Sequence, residues 1–491
     1  MLAARAVPKA FPYQRHQPEQ TQLYQLVAQY YPVFKTELAA QGRSLPHYIQ
    51  QEIEAFLRCG RLAQGFLRVR CEDCRHERLV AFSCKKRGIC PSCGARRMVE
   101  SAAMLLDDVF PEAPVRQWVL SFPFQLRFLL ARFPEVCTNV LRIVYRAIAT
   151  YLIRQAGVTQ KRAQAGAVTL IQRFGSALNL NLHLHMLFLD GVYAKDSDQH
   201  LQFHRTPSPS AEQLNTLVHT ISQRVARCLE KRGLLERDIE NSWLNLEVED
   251  KDCLLHLQGH CVTYRIAMGP NQGRKVFTLQ TLPPSQADSV RADIAHAAGF
   301  SLHAGVTAGA KQRDKLERLC RYIARPAISE QRLSITSTGK VCYALKTPYR
   351  DGTTHVIFEP LDFMAKLAAL TPAPRRNLTR YHGVFAPNSK YRAQVIAGES
   401  AKRSKVTEER SAAARHRAMT WMQRLKRVFN IDIEICERCG GPVRVMASIE
   451  DPAVIALILN HLKKKQEEGM HAKPVTLPPE RAPPRERDLF S

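Results

Sequence analysis

The stretch NLNLHLHML, residues 179–187, alternates strictly between polar and apolar side chains. Alternation with a period of two is typical of a β-strand that has one face in a hydrophobic core. Because residues two apart share a face, His183 and His185 point the same way while their leucine neighbours face the core. Two neutral imidazoles held in parallel can chelate one divalent cation and leave positions for a third ligand, water and a phosphate. A histidine pair is as often an ordinary surface feature, so this interpretation needs support from the rest of the chain.

The remaining sequence mixes helical and strand-like patterns. Residues 1–50 and 96–157 have apolar side chains at helical spacing, and a further helix is predicted at 210–231. From about residue 166 short alternating runs predict strands, including one at 262–268. The combination predicts an α+β fold, and the length of 491 residues is enough for several domains.

Two matched cysteine pairs lie in the first quarter of the chain. Cys71-x2-Cys74 and Cys90-x2-Cys93 are separated by fifteen residues. A CxxC turn lets two thiolates approach one ion, and two such turns complete a tetrahedral site. The spacing predicts one structural four-cysteine zinc site, and the alternative is a chance cluster of buried thiols.

Other cysteines leave the ligand set open. Cys59, Cys84 and His76 lie close enough in sequence to replace a ligand or to build a second zinc site. The segment CERCGG, residues 436–441, has a single CxxC and is therefore half a site. It could be completed by His461 or by another chain, or it could be a turn with two free thiols.

The charge balance favours a polyanionic partner. Lys and Arg number 71 against 45 Asp and Glu, a net charge of +26, and the pI is near 9.7. A folded protein this basic repels itself unless it meets a polyanion, so nucleic acid is the expected partner and a general solubility bias is the alternative. We find no basic amphipathic helix joined to a long apolar run, no signal peptide and no run of about 18 apolar residues. The sequence predicts a cytoplasmic protein without a membrane partner.

One helix combines a tyrosine with two arginines. In LERLCRYIARP the apolar residues form a buried stripe, and Arg318, Tyr322 and Arg325 share another face at i, i+4 and i+7. A tyrosine between arginines is well placed beside a phosphodiester. Its phenol has an ordinary pKa of about 10, so nucleophilic use requires activation or a polarised electrophile. The alternative is a surface tyrosine stacked on arginine.

The order of zinc cysteines, a His-x-His strand and a tyrosine helix resembles the rolling-circle transposases of the insertion-sequence-91 group. These belong to the HUH endonuclease superfamily. The resemblance extends from about Cys59 to the C-terminal CxxC. It rests on SCKKRGICPSC, LNLHLHMLFLDGVY, RYIARPAISEQRL, DGTTHVIFEPLDFMAKLAALTPAPR and RYHGVFAPNSKYR.

The resemblance implies roles for individual residues. His183 and His185 match the metal-binding histidines of the family, and Tyr322 matches the nucleophile. The third ligand of the catalytic Mg²⁺ or Mn²⁺ is not obvious, and Gln172 on the preceding strand is our choice. Well-known members have a second tyrosine one turn earlier, where this chain has Arg318, so it resembles the single-tyrosine common-region branch. Arg318 and Arg325 are then expected to contact DNA phosphates.

The resemblance also implies a reaction and partners. The expected reaction is metal-assisted transesterification on single-stranded DNA through a 5′-phosphotyrosine, at element ends read as hairpins or short sequences. No Walker-type GxxxxGK[ST] is present, so a host helicase and the replication machinery are expected partners in a bacterial, nucleoid-associated setting. The alternatives are a plasmid replication initiator or relaxase with the same chemistry, and a zinc-dependent DNA-binding regulator with an inactive nuclease centre.

The expected organisation follows from these segments. It is a small zinc-binding domain and a helical N-terminal region, then an HUH-type nuclease domain with a central antiparallel sheet, then a helical basic C-terminal region. The predicted bounds are 1–50 for the helical N-terminal region, 51–105 for the zinc-binding and DNA-binding domain, 106–365 for the nuclease domain, 366–435 for the basic helical region, 436–470 for the CxxC segment and 471–491 for a disordered tail.

Overall fold

The computed structural model describes residues 11–12, 17–197, 199–238, 242–245, 252–284, 293–396, 431–432 and 435–469. The helices are α1 (Gln22–Ala40), α2 (His47–Arg58), α3 (Pro91–Asp108), α4 (Phe124–Arg132), α5 (Pro134–Gln155), α6 (Ala211–Glu230), α7 (Cys253–Val262), α8 (Arg313–Ile323), α9 (Pro360–Leu370) and α10 (Pro452–Gly469). Three short 3₁₀ helices span Pro18–Gln20, Leu62–Gln64 and Glu330–Arg332.

The strands are β1 (Phe11–Pro12), β2 (Phe66–Cys71), β3 (Glu77–Ala81), β4 (Val115–Ser121), β5 (Ala163–Gln164), β6 (Gly166–Phe174), β7 (Leu180–Leu189), β8 (Gly191–Lys195), β9 (Leu201–Arg205), β10 (Leu235–Arg237), β11 (Ser242–Leu244), β12 (Phe277–Gln280), β13 (Ile294–Ala297), β14 (Phe300–Ala308), β15 (Leu333–Ile335), β16 (Val341–Ala344), β17 (Thr353–Phe358), β18 (Thr379–Gly383), β19 (Ile431–Asp432) and β20 (Val443–Ile449).

A six-stranded sheet forms the centre of the described chain. Its order is β13-β14-β4-β7-β6-β18, and every neighbouring pair is antiparallel. The alternating stretch predicted to be a strand is β7, which lies between β4 and β6 in the middle of this sheet. Both edges of β7 are paired and both of its faces are covered by hydrophobic side chains, and that explains why β7 is buried along most of its length.

The two faces of β7 contribute to different hydrophobic clusters. Leu182, Leu184 and Met186 pack into the larger cluster, which includes the buried face of α5. On the opposite face, Leu187 and Leu189 join a second cluster that contains the apolar stripe of α8 and part of α3. His183 and His185 lie on the same side as that second cluster, because they are in step with Leu187. The sheet therefore presents both imidazoles toward the helix that carries Tyr322.

The prediction of helix throughout 96–157 is wrong at 115–121. These residues form β4, a central strand between β14 and β7. The sequence VRQWVLS contains β-branched and aromatic residues between two prolines, Pro114 and Pro123, a composition that suits a buried strand. The predicted strand at 262–268 is likewise absent, since α7 continues to Val262 and only a bridge at Arg265 follows.

Helix α5 is the one helix among the described residues that is long and apolar enough to cross a membrane by length and composition. More than half of its most apolar window is buried inside the protein. Val144, Ile148 and Leu152 pack in the larger hydrophobic cluster. The helix therefore packs as the core helix of a globular fold does.

Smaller sheets surround the central one. A four-stranded antiparallel sheet has the order β12-β17-β16-β15, and a three-stranded sheet has the order β20-β2-β3. In the first, β16 and β17 form an antiparallel pair on either side of the RDGT sequence at residues 350–353. The α+β prediction is confirmed by this mixture of helices and antiparallel sheets. The predicted domain bounds stay predictions, and the predicted disordered tail and residues 397–430 of the predicted basic helical region lie outside the described residues.

Candidate active site

The two histidines of β7 converge on one point. Their Nε2 atoms lie 3.1 Å apart. Nδ1 of His183 is 2.8 Å from the backbone carbonyl oxygen of Asn181, which can only accept, so this nitrogen carries the proton and Nε2 has a free lone pair. Nδ1 of His185 lies 2.9 Å from the side-chain amide of Gln117. Each ring is therefore held through Nδ1 and presents Nε2 to its neighbour.

Desolvation keeps both imidazoles neutral. Burial is the main cause that lowers the pKa of His183 to about 4; the Asn181 carbonyl opposes this effect, and the charges of Arg325 and Arg127 add to it. Burial also lowers the pKa of His185 well below its ordinary value, and the adjacent His183 adds to this. Neutral imidazole is the charge state that binds a cation, so desolvation favours metal binding by this pair at neutral pH.

The tyrosine helix lies against these histidines. The rings of His185 and Tyr322 are 6.0 Å apart between centroids and nearly perpendicular. Leu316, Leu319, Cys320 and Ile323 form the buried stripe that attaches α8 to the sheet and to α3. The amphipathic pattern of α8 thus fixes the direction of Tyr322.

Positive charge surrounds the Tyr322 ring. The guanidinium carbon of Arg325 is 4.5 Å and Nζ of Lys346 is 4.4 Å from the ring centroid. Arg318 is exposed on α8 and does not line the cavity that contains His183 and His185. The structure therefore brings Arg325 to the tyrosine and leaves Arg318 outside.

A cavity of about 340 Å³ contains the predicted residues. It is lined by Gln172, His183, His185, Tyr322 and Arg325, among others. Gln172 is buried and lies opposite His183 in the β6–β7 register. Its side-chain nitrogen donates to the carbonyl of Ile323 at 3.4 Å, so it also connects the sheet to α8.

The donor set fits a divalent cation. Two cis ligands at about 2.1 Å from a metal are about 3.0 Å apart, which agrees with the 3.1 Å between the Nε2 atoms. Asn181 lines the same cavity, and its side-chain oxygen is buried without a hydrogen-bond partner among the described residues. A cation would satisfy that oxygen, so Asn181 joins Gln172 as a candidate third ligand.

Two further groups in this cavity were not predicted. Gln117 lies on β4, the strand that was predicted as helix, and the β4–β7 register brings its side chain to His185. His303 on β14 lines the same cavity, and its Nε2 lies 2.7 Å from a carboxylate oxygen of Asp293. The sequence around His303 carries no motif, so only the sheet order reveals its position.

Two other tyrosines, Tyr343 and Tyr349, follow Tyr322 in the sequence and are differently placed. Tyr343 is fully buried, and its hydroxyl accepts hydrogen bonds from Arg332 and the backbone of Ser329. The hydroxyl of Tyr349 lies 3.5 Å from that of Tyr264. Neither lines the cavity that contains the histidines.

The predicted grouping of Cys71, Cys74, Cys90 and Cys93 into one site is wrong. The described residues contain two separate four-cysteine clusters: Cys59, Cys84, Cys90 and Cys93 in one, and Cys71, Cys74, Cys436 and Cys439 in the other. The β2–β3 hairpin explains the separation. Its five-residue return strand spans about 16 Å, so the two CxxC pairs lie at opposite ends of the hairpin.

The first cluster has the dimensions of a zinc site. Sulfur separations are 3.7 Å for Cys59–Cys93, 3.5 Å for Cys84–Cys93 and 3.7 Å for Cys59–Cys90. A tetrahedral site with bonds of about 2.3 Å has edges of about 3.8 Å. Hydrogen bonds from the neighbouring thiols, Cys59 foremost, lower the pKa of Cys93 and favour its thiolate. Cys59 and Cys84, predicted as possible additional ligands, belong to this cluster.

Comparison with known families gives two matches. A family described as "Putative transposase" matches residues 166–393, and a family described as "Transposase zinc-binding domain" matches residues 26–122. The first range contains the histidines and the tyrosine, and the second contains the whole of the first cysteine cluster. No curated protein and no solved structure matches the chain.

Proposed function

Because this chain is a transposase of the insertion-sequence-91 family, we propose that it nicks and rejoins single-stranded DNA at the ends of a mobile element. The proposed intermediate is a 5′-phosphotyrosine on Tyr322, and the proposed outcome is rolling-circle transposition by an HUH-type nuclease. The observation that carries this proposal is the position of Tyr322. Its ring lies 6.0 Å from that of His185, and both residues line one cavity.

His183 and His185 would hold a divalent cation, with Gln172 or Asn181 as the third protein ligand. Mg²⁺ or Mn²⁺ bound there would withdraw charge from the scissile phosphate and orient it. Gln172 has a second role, since its amide also contacts the backbone of the tyrosine helix. Gln172 thus connects the sheet that carries the histidines to the helix that carries Tyr322.

Tyr322 provides the nucleophile in this proposal. Its phenolic oxygen forms a bond to phosphorus while the bond from phosphorus to the 3′ oxygen breaks, and the departing oxygen takes a proton to give a free 3′-OH. His303, which is paired with Asp293 in the same cavity, is the base that we assign to the phenol proton. One phosphodiester replaces another, so the reverse attack by a 3′-OH rejoins DNA without ATP.

Cations next to Tyr322 suit a DNA backbone. Arg325 and Lys346 flank the ring, and each can neutralise a phosphate that approaches the cavity. The net charge of +26 on the whole chain also supports DNA as the partner. Since no Walker-type motif is present, a host helicase would unwind the duplex, and the protein would act at the nucleoid in the cytoplasm.

The decisive experiment is capture of the covalent adduct. The protein is incubated with end-labelled single-stranded DNA and Mn²⁺, and the DNA-linked peptide is identified by mass spectrometry. We expect an adduct on Tyr322 that is lost in Tyr322→Phe and retained in Tyr349→Phe, a matched control on a tyrosine outside the cavity. An adduct on another tyrosine would contradict the assignment.

The same experiment separates the alternatives. DNA binding without an adduct in the presence of Mn²⁺ or Mg²⁺ would indicate a zinc-dependent regulator with an inactive centre. A replication initiator or relaxase would form the same adduct, so a second substrate is needed. Excision and joining of paired element ends, compared with nicking at a plasmid origin, distinguishes a transposase from both.

A further inference from the structure

We propose that Cys71, Cys74, Cys436 and Cys439 bind a second structural zinc ion, and that residues 435–469 belong to the zinc-binding domain. The family match to that domain ends at residue 122, and the other match ends at residue 393. Neither therefore contains Cys436 or Cys439. The proposal is independent of the reaction assigned to Tyr322.

The sulfur geometry is that of a tetrathiolate site. Cys71 and Cys439 are 3.5 Å apart, as are Cys74 and Cys436, and all four sulfur atoms lie within 4.8 Å of one another. A tetrahedral zinc site has edges of about 3.8 Å. Two pairs of thiols from chain segments 368 residues apart thus converge with the separations that one zinc ion requires.

The CERCGG segment is folded as a metal-binding turn. The backbone nitrogen of Cys436 donates to the carbonyl of Gly441 at 2.8 Å, and the nitrogen of Gly441 donates to the sulfur of Cys439 at 3.4 Å. The backbone conformation or the packing requires glycine at both positions 440 and 441. Gly440 has a φ of +75°, and a Cβ on Gly441 would lie 2.0 Å from a carboxylate oxygen of Asp73. The second glycine therefore allows the two cysteine turns to approach each other.

Strand pairing brings the C-terminal segment to this position. Strand β20 pairs antiparallel with β2 from Cys71↔Val443 to Phe66↔Ile449, and it completes the sheet β20-β2-β3. The backbone of Glu72 donates to the carbonyl of Pro442 at 2.9 Å. Across the same junction, a carboxylate oxygen of Glu437 lies 3.5 Å from Nε2 of His76, and Glu437 forms an ion pair with Arg78 at 3.9 Å. Two cysteine turns at one end of a three-stranded sheet are the arrangement of a zinc ribbon.

The second site would hold the chain in place at one end of a basic stretch. Residues 397–430 contain nine Lys or Arg and three Glu. Before this stretch, Val395 is buried in the second hydrophobic cluster, and after it Cys436 lies in the second cysteine cluster. The zinc ion would therefore tether the far end of the basic stretch to the folded protein.

Metal analysis of the full chain tests the proposal. We expect about two zinc ions per chain in the wild type and about one in Cys436→Ser/Cys439→Ser. Cys71→Ser/Cys74→Ser, which removes the other half of the site, should give the same loss. Cys228→Ser/Cys342→Ser is the matched control, because neither cysteine belongs to a cluster. Cobalt substitution should reproduce this pattern in the thiolate-to-cobalt charge-transfer absorption.

Hydrogen exchange supplies a second readout that does not depend on DNA cleavage. Removal of the second zinc should speed amide exchange in β20 and leave α5 unchanged. The proposal would be overturned if the wild type bound only one zinc ion per chain and Cys436→Ser/Cys439→Ser still bound one. So would failure of thiol reagents to titrate these cysteines in unfolded, metal-free protein, because that result indicates disulfides in place of metal.

Discussion

The side-chain amide of Gln117 lies 2.9 Å from Nδ1 of His185, so a residue of β4 orients an imidazole of β7. Groups that hold the outer nitrogen of a metal-binding histidine usually contribute ten- to hundred-fold to metal affinity or activity. We expect Gln117→Ala to lower the rate of DNA cleavage by about that factor at limiting Mn²⁺. We expect the rate to recover at high Mn²⁺. The measurement is the cleavage rate as a function of Mn²⁺ concentration.

The control for Gln117 is Gln125→Ala, at an exposed glutamine on α4 that does not line the histidine cavity. It should leave the Mn²⁺ dependence unchanged. Loss of cleavage in Gln117→Ala that no Mn²⁺ concentration restores would mean that Gln117 does not act through the metal-binding histidine.

Arg325 and Arg318 provide a matched pair of arginines on either side of Tyr322 in the sequence. Arg325 contacts the Tyr322 ring and lines the cavity, whereas Arg318 is exposed outside it. We expect Arg325→Gln to reduce cleavage about ten-fold or more and to lower the salt dependence of DNA binding by about one counterion. Arg318→Gln should retain most of the cleavage activity. The reverse order of the two variants would contradict the position assigned to the DNA.

The depressed pKa of His183 predicts a pH dependence of stability. Burial lowers this pKa to about 4 in the folded protein, below the ordinary value of 6.5. Between these two pH values the unfolded chain binds a proton that the folded chain does not, so the free energy of unfolding falls as the pH decreases. From pH 7 to pH 5 the loss due to His183 is roughly 2 kcal/mol.

Urea unfolding in the presence of a chelator measures this loss. His183→Gln should remove about that much of the pH dependence, while His200→Gln, at an exposed histidine, should keep it. Equal slopes for His183→Gln and the wild type would show that His183 is not desolvated in the folded state.

A buried ion pair connects β4 to the end of β7. Arg116 and Asp190 form two hydrogen bonds of 2.8 and 2.9 Å, and both side chains are about 6% exposed. Asp190→Ala leaves a buried guanidinium without its partner and should cost about 3–5 kcal/mol of unfolding free energy. Glu317→Ala, which breaks an exposed pair with Arg321 on α8, should cost less than about 1 kcal/mol. Denaturant unfolding compares the two.

The sequence was sufficient for the parts of the site that local periodicity encodes. Alternation in β7 gave the shared face of His183 and His185, and the apolar stripe of α8 gave the direction of Tyr322. Gln117 and His303 could not be found this way, because their proximity depends on the sheet order β14-β4-β7. Strand order is set by packing between distant segments, and no short window of sequence contains it.

The cysteines illustrate the same limit. Spacing correctly indicated thiol clusters, but it paired Cys71 and Cys74 with the nearest CxxC in the sequence. The hairpin of β2 and β3 separates those neighbours, and β20 brings a distant pair instead. The half-site at 436–441 was recognisable, whereas its partner was not.

The pairing of β2 with β20 has a consequence for biosynthesis. Residues 66–71 leave the ribosome about 370 residues before their partner strand is made. Until then the β2 edge stays open to any extended peptide that meets it. A nonsense or frameshift product that stops before residue 443 keeps this edge unpaired permanently, so truncated copies of the protein should be prone to aggregation and to removal by proteases.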